Sequence, residues 1–157
     1  MDYNLDTTPV VRDIRTAEML AGIFPAVVTA GPNHFEVDWN HPNHHVEVFP
    51  DIVNPKNGPQ IDQVERMIQF GAENNGPILV HCHAGVSRST ATAIGIAMAR
   101  GADAGQAVDM IHRTHPEGHE FWPNGLILFH LESIFRLPQR TFTDLVKNKT
   151  TYLSHAR

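Results

Sequence analysis

The sequence has one cysteine, Cys82, among its 157 residues, so no disulfide can close within the chain. A lone thiol fits a reducing compartment, and the expected location is the cytoplasm. No apolar run approaches the roughly 20 residues that a membrane-spanning helix needs. The opening residues, Met1-Asp2-Tyr3-Asn4-Leu5-Asp6, are acidic and polar and do not read as a signal peptide. Basic residues are outnumbered, with 12 Lys and Arg against 17 Asp and Glu and a net charge of −5 when histidine is neutral. The chain therefore lacks the basic footprint of a protein that binds nucleic acid or an anionic membrane, and neither is an expected partner. No internal repeat or low-complexity linker divides it. The length suits a single domain over residues 1–157, with 1–12 expected to be loosely packed and 139–157 either to be loosely packed or to pack as a short tail helix.

What the chain does carry is the stretch Val80-His81-Cys82-His83-Ala84-Gly85-Val86-Ser87-Arg88-Ser89. The apolar run Pro77-Ile78-Leu79-Val80 leads into it and reads as a buried strand. Residues 89–100 follow, rich in small and apolar side chains and long enough for a buried helix. Cys82 thus sits where a strand ends and a helix begins. A loop at that place can turn its backbone N–H groups toward one centre at the positive end of the helix, which makes an anion site. The same environment favours the thiolate form of a cysteine, and the thiolate is the nucleophile. The Arg88 guanidinium offers a planar fork for two oxygens of a phosphate. Gly85 allows a tight turn where a side chain would intrude. Cys82 is the expected nucleophile, and His83, Ala84, Gly85, Val86, Ser87 and Arg88 the expected phosphate binders. Together they describe phosphoryl transfer through a phosphocysteine.

Cys82 and Arg88 with five residues between them, His81 before and Ser89 after, resemble the signature of the cysteine-dependent protein tyrosine phosphatases. The His-Cys-x-x-Gly-x-Ser-Arg-Ser form is most similar to the dual-specificity branch. The resemblance runs over about residues 45–135 and implies that family's roles for the matching positions. His81 would order the loop and tune the thiolate. Ser89 would bond the cysteine sulfur and help it leave. Each also has a plain structural reading, a buried histidine satisfied by a backbone carbonyl and a helix-capping serine. Arg113-Thr114-His115-Pro116 and the later Asn124-Gly125-Leu126 resemble a segment whose asparagine braces the phosphate loop, at a longer spacing here. Asn124 equally suits a helix N-cap.

Thiolate attack needs a proton donor, because an alkoxide or phenoxide leaves far more readily when protonated in the transition state. The donor belongs on a loop able to close over the pocket. Asp51 follows a strand end in Phe49-Pro50-Asp51-Ile52, roughly thirty residues before Cys82, and opens a Pro- and Gly-rich loop. The resembling family places its acid similarly. Aspartate is also a common turn residue after strands. Asp38 is the second candidate, in a polar loop less clearly at a strand end, and Asp62 reads as a first-turn helix residue.

In chain order the patterning predicts a helix over 14–22, strands over 25–30 and 45–49, and a helix over 61–74. The signature strand and helix come next, then helices over about 103–113 and 124–137. Asp103 with Gln106 has the spacing of a capping box. Strands alternating with helices imply an α/β fold with a mostly parallel sheet covered on both faces. The resemblance implies the same three-layer α/β/α sandwich, with a helix-rich C-terminal half. Ligands in such folds bind at the carboxyl ends of strands, where Cys82 lies.

The expected reaction is hydrolysis of phosphate monoesters, with phosphotyrosine in proteins favoured and phosphoserine or phosphothreonine open as well. The loop has no lysine and no second arginine among residues 83–87, which disfavours a polyphosphorylated lipid. A nucleotide, inositol phosphate or RNA 5′ phosphate is the alternative substrate. A non-catalytic phosphopeptide-binding module and a sulfur-transfer or arsenate-reducing enzyme are the alternative classes. No cofactor is expected. The histidine sets His41, His44, His45 and His112, His115, His119 do not combine with cysteine or carboxylates at a known zinc spacing, so no metal is expected either.

Overall fold

In the computed structural model, residues 7–149 are described, and the expectations for residues 1–6 and 150–157 lie outside them. The elements are β1 Val10–Arg12, α1 Ile14–Leu20 with a 3-10 turn Ala21–Ile23, β2 Ala26–Gly31 and β3 His44–Val48. They continue with α2 Ile61–Glu73, β4 Ile78–His81, α3 Arg88–Ala99, α4 Ala104–Thr114, α5 Gly125–Ile134 and α6 Thr141–Lys147. The strands form one sheet in the order β1-β4-β2-β3, and every pairing is parallel. This is the α/β sandwich expected from the alternation of strands and helices.

Side-chain alternation along the strands builds the layers. Val27 of β2 and Leu79 of β4 face α1, packing with Ala17 and Ala21. Their neighbours Ala26, Val28, Ile78 and Val80 face the opposite way, into a larger core with Val64, Ile94, Ile111 and Leu131 of α2 to α5. One helix therefore covers one face of the sheet, and the helix-rich C-terminal half supplies most of the other. α3 runs through the middle of that layer, with every residue from Ser89 to Met98 buried. Its crossings are close because Gly95 meets Leu131 and Ile68, and Gly71 of α2 meets Ile96. Arg100, just after α3, donates to the carbonyls of Thr7, Gly71, Asn74 and Gly76, which ties the start of the chain and the end of α2 to the core.

One expectation needs correction. Val10-Val11-Arg12, expected in a loose lead-in, form β1 and pair with β4 at Val11↔Val80. A fully buried central strand needs hydrogen-bond partners on both edges, and β1 supplies the second edge. Of the two readings for the tail, the structure takes the packed helix: residues 141–147 form α6, where Phe142 is buried and Glu132 of α5 accepts from the Arg140 and Phe142 N–H groups. The predicted capping box is present at the start of α4, where Asp103 accepts from the Gln106 N–H and the Gln106 side chain accepts from the Asp103 N–H.

Candidate active site

β4 lies inside the sheet, and its carboxyl end delivers Cys82 into a loop that enters α3 at Arg88. The loop is held from outside through its carbonyls. The Cys82 carbonyl is 2.9 Å from His81 Nδ1. The His83 carbonyl accepts from the Ile14 N–H of α1 at 2.9 Å. Those of Val86 and Ser87 accept from the Trp122 and Asn124 N–H groups, both at 3.1 Å, and each also accepts from the Thr90 hydroxyl. A planar trans peptide points its N–H opposite its C=O. Among the described residues, the N–H groups of 83–87 have no acceptor. Gly85 has φ +72°, and a Cβ there would lie 2.8 Å from the Arg12 carbonyl carbon and the Asp13 nitrogen. The close approach of the loop to the β1–α1 junction thus requires glycine.

Cys82 is 3 % exposed, and its Sγ lies 3.1 Å from the Ser89 hydroxyl, which is itself fully buried. Arg88 places Nη1 on the Phe49 carbonyl at 2.7 Å. Its Nε is buried and lacks an acceptor. Leaving a buried donor unpaired costs about 1–3 kcal/mol, and an anion held in the loop would remove that cost. The guanidinium crosses the backbone of Gly31, the last residue of β2, whose φ is +116°.

Asp51 stands on the exposed loop after β3, and its Oδ1 accepts from the Ser87 hydroxyl at 2.7 Å and from the Asn124 amide at 2.9 Å. Both donors reach the same oxygen of the carboxylate. Asn124 joins its two readings. Its Oδ1 caps α5 by accepting from the Leu126 and Ile127 N–H groups, and its Nδ2 holds Asp51 and the Ile52 carbonyl. Only its backbone N–H touches the loop. Asp38 is exposed between β2 and β3, and Asp62 pairs with Arg66 one turn on in α2 at 3.2 Å. The structure therefore gathers Cys82, Arg88, Ser89, Asp51, His81 and Asn124 around one loop and leaves Asp38 and Asp62 outside that set. Of the loop residues, His83 and Ala84 are exposed, Gly85 is buried, and Val86, Ser87 and Arg88 are half-buried.

Sequence patterning gave no signal for the other contributors. Residues 33–40 reach the site twice, through the Glu36 carboxylate 2.9 Å from His83 Nε2 and through Trp39 packed on the His81 ring. Arg12 and Asp13 back the loop. The histidines of each set stay near one another but bond other groups: His41 bonds the Phe24 carbonyl, His45 bonds Glu47, and His112 and His115 pack on Phe121. Among the described residues, no group of three or more His, Cys, Asp or Glu could hold a metal ion.

His81 and His44 sit on opposite sides of the Thr29 hydroxyl, each 2.6 Å from it. Burial, the largest effect at both rings, pushes each down to about 4 from 6.5. Both are neutral in the fold and take up protons only after unfolding once the pH is below about 6.5. Stability therefore falls as the pH drops from 6.5 toward 4, where the folded rings begin to titrate. For His81 the full fall is about 3 kcal/mol at 1.36 kcal/mol per pH unit, and the more accessible His44 adds less. Urea melts from pH 7 to 4.5 are expected to show the loss beginning above the carboxylate range. Constant stability between pH 6.5 and 5 would contradict it.

A sequence model of the family described as protein-tyrosine phosphatase matches residues 37–115. No curated protein sequence matches the chain. Among solved structures, the active form of Tk-PTP superposes with a TM-score of 0.61 at 18% identity, covering 85% of this chain and 95% of that one. Human DUSP28 gives a TM-score of 0.61 at 20% identity, over 83% of this chain and 92% of its own. The human tyrosine phosphatase-like serine/threonine/tyrosine-interacting protein gives 0.61 at 18% identity, over 85% and 94%. A thiol on a loop of unpaired amides, with Arg88 at the loop's end and Asp51 bonded to its Ser87, accompanies a family match across half the sequence: the chain belongs to the protein-tyrosine phosphatase family.

Proposed function

We propose that this protein hydrolyses phosphate monoesters through a phosphocysteine intermediate, with phosphotyrosine in proteins as the favoured substrate. The observation that carries this reading is the loop itself. Its amide N–H groups at 83–87 and Arg88 Nε lack acceptors, and they surround a cysteine at the head of α3. A phosphate dianion supplies the missing acceptors.

In the proposed reaction the Cys82 thiolate attacks phosphorus in line, opposite the ester oxygen. The loop amides and Arg88 hold the equatorial oxygens, where charge is spread in the transition state. The S–P bond forms as the P–O bond breaks, and Asp51 Oδ2 gives its proton to the departing oxygen. Asp51, now a carboxylate, takes a proton from water, and the resulting attack on phosphocysteine releases phosphate. The Ser89 hydroxyl, 3.1 Å from Sγ, stabilises the departing thiolate. His81 and Asn124 hold the loop and Asp51 in place. These steps use only groups of the chain, so a chelator is expected to leave the rate unchanged. A proteinaceous substrate is supported by the acidic rim residue Glu36 and by a loop without a second cation, features unsuited to a polyphosphorylated ligand. A cytoplasmic location is supported by the single free thiol.

The test is turnover of aryl phosphates between pH 5 and 8 in the presence of chelator, with Asp51→Asn beside the wild type. Asp51→Asn is expected to lower kcat roughly 10²–10³-fold for a poor leaving group such as phenol and far less for p-nitrophenol. Equal losses on both substrates would remove Asp51 from the acid role. An inactive wild type would overturn the phosphatase assignment.

A further inference from the structure

Thr29 of β2 stands in register with His81 of β4, and His44 opens β3 on the other side of β2. Three neighbouring strands thus carry one line of side chains. Thr29 Oγ1 is fully buried and lies 2.6 Å from both His44 Nε2 and His81 Nε2. Beyond His81, Nδ1 is 2.9 Å from the Cys82 carbonyl. Trp39 covers the line, stacked on His44 at 5.7 Å and tilted over His81 at 4.9 Å between ring centroids.

The hydrogens along this line follow from donor and acceptor chemistry. A carbonyl only accepts, so His81 Nδ1 carries the ring hydrogen. A neutral imidazole has one such hydrogen, so Nε2 accepts and the Thr29 hydroxyl donates to it. That hydroxyl has no second hydrogen. Toward His44 it must accept, and His44 Nε2 must donate. No other neutral arrangement satisfies all three contacts.

We propose that Thr29 and His44 are positioning residues for the phosphate loop, lending their effect through His81. They satisfy the accepting Nε2 edge of His81 and so support, from the far side of the ring, the Nδ1–H tautomer that the Cys82 carbonyl calls for. His81 then holds the Cys82 carbonyl outward, and because the peptide is planar the His83 N–H turns inward, toward the place a phosphate oxygen takes. The opposite tautomer would set a ring lone pair against the carbonyl and release that peptide. The inference rests on the reading of the loop as a phosphate cradle.

Thr29→Val deletes the hydroxyl at nearly constant shape, and Thr29→Ser keeps it. Three quantities are read for each: the His81 ring nitrogen shifts by NMR, kcat and KM for an aryl phosphate, and the affinity for inorganic phosphate. In Thr29→Val the pure Nδ1–H signature is expected to disappear, kcat to fall about tenfold and phosphate to bind several-fold more weakly. Thr29→Ser is expected to stay within about twofold of wild type on all three. An Nδ1–H His81 that persists in Thr29→Val, or a Thr29→Val enzyme with wild-type kcat, overturns the proposal. If Thr29→Val does not fold, His44→Phe carries the test. It removes the donor to Thr29 and keeps a ring under Trp39. Unchanged His81 shifts and turnover in that variant also overturn the proposal. A wild type that hydrolyses no aryl phosphate ends the phosphatase reading alone, and the tautomer together with the phosphate affinity still decides this one.

Discussion

Cys82→Ser is expected to abolish hydrolysis of aryl phosphates, with kcat reduced by roughly four orders of magnitude or more, the scale of an enzyme that loses its nucleophile. The replacement is small and keeps the fold, because the side chain sits in a space already shared with Ser89. What it changes is chemical. A thiol gives up its proton to become a strong nucleophile near neutral pH, whereas an alcohol does not without a base beside it. Among the described residues, no histidine ring bonds Sγ: His81 turns its Nδ1 to a carbonyl and its Nε2 to Thr29, and His83 pairs with Glu36. The serine would therefore find no general base. The loop amides and Arg88 remain, so inorganic phosphate should still inhibit or bind. Hydrolysis of p-nitrophenyl phosphate by wild type and variant, with phosphate binding as the control for an intact loop, checks this. A serine variant as active as the wild type would sink the thiolate mechanism.

The second large effect is expected at a residue outside the signature. Gly31→Ala should lower kcat/KM roughly 10²–10³-fold, comparable to removing a donor from a transition-state oxyanion site. A Cβ at this position would lie 2.0 Å from Arg88 Nη1 and 2.5 Å from Cζ, well inside contact distance. The backbone cannot swing away to relieve it, because Gly31 is at the end of β2 and pairs in register with Val48. The guanidinium must move, losing its bond to the Phe49 carbonyl and its aim at the loop. Gly101 provides the comparison. Its φ of +112° matches that of Gly31, but nothing lies within 4 Å of its Cβ position. Gly101→Ala therefore carries similar backbone strain, about 1–3 kcal/mol, without touching the site. Weaker phosphate inhibition and reduced kcat/KM in Gly31→Ala, beside normal kinetics in Gly101→Ala, is the expected pair. Wild-type kinetics in Gly31→Ala would show that Arg88 works from some other position.

The contrast between these two predictions marks what a sequence can disclose. Cys82, Gly85, Arg88 and Ser89 are close in the chain, and a strand-to-helix loop brings neighbours together wherever it occurs. Their shared site was legible for that reason. Asp51 could be reached by a longer argument, since a proton donor must ride a loop at a strand end. Gly31 lies just past the predicted strand over 25–30 and carried no signal for the site, because its obligation comes from an arginine far along the chain. Thr29 looked like an ordinary residue of its strand, and His44 fell just before the predicted strand over 45–49, in a histidine set without metal spacing. What joins them to His81 is the order β1-β4-β2-β3, which places β2 between β3 and β4, and periodicity within a strand says nothing of which strand lies next to it. β1 was hidden for a related reason. Three residues are too few to show alternation, and its existence is decided by the open edge of β4.

The outward anchoring of the loop also bears on how its chemistry can vary. Its carbonyls rest on four separate posts: the His81 ring, the start of α1, the segment 122–124 and the Thr90 hydroxyl. The five residues between Cys82 and Arg88 are an arch spanning fixed supports, and its length is set by where those supports stand. One residue more or fewer would lift the arch off several posts at once. Side chains are less constrained: His83 and Ala84 are exposed, and His83 reaches only the exposed Glu36 carboxylate. A pocket built this way can change what it selects by exchanging the ornaments at 83 and 84, while the count between nucleophile and arginine stays fixed by masonry contributed from elsewhere in the fold.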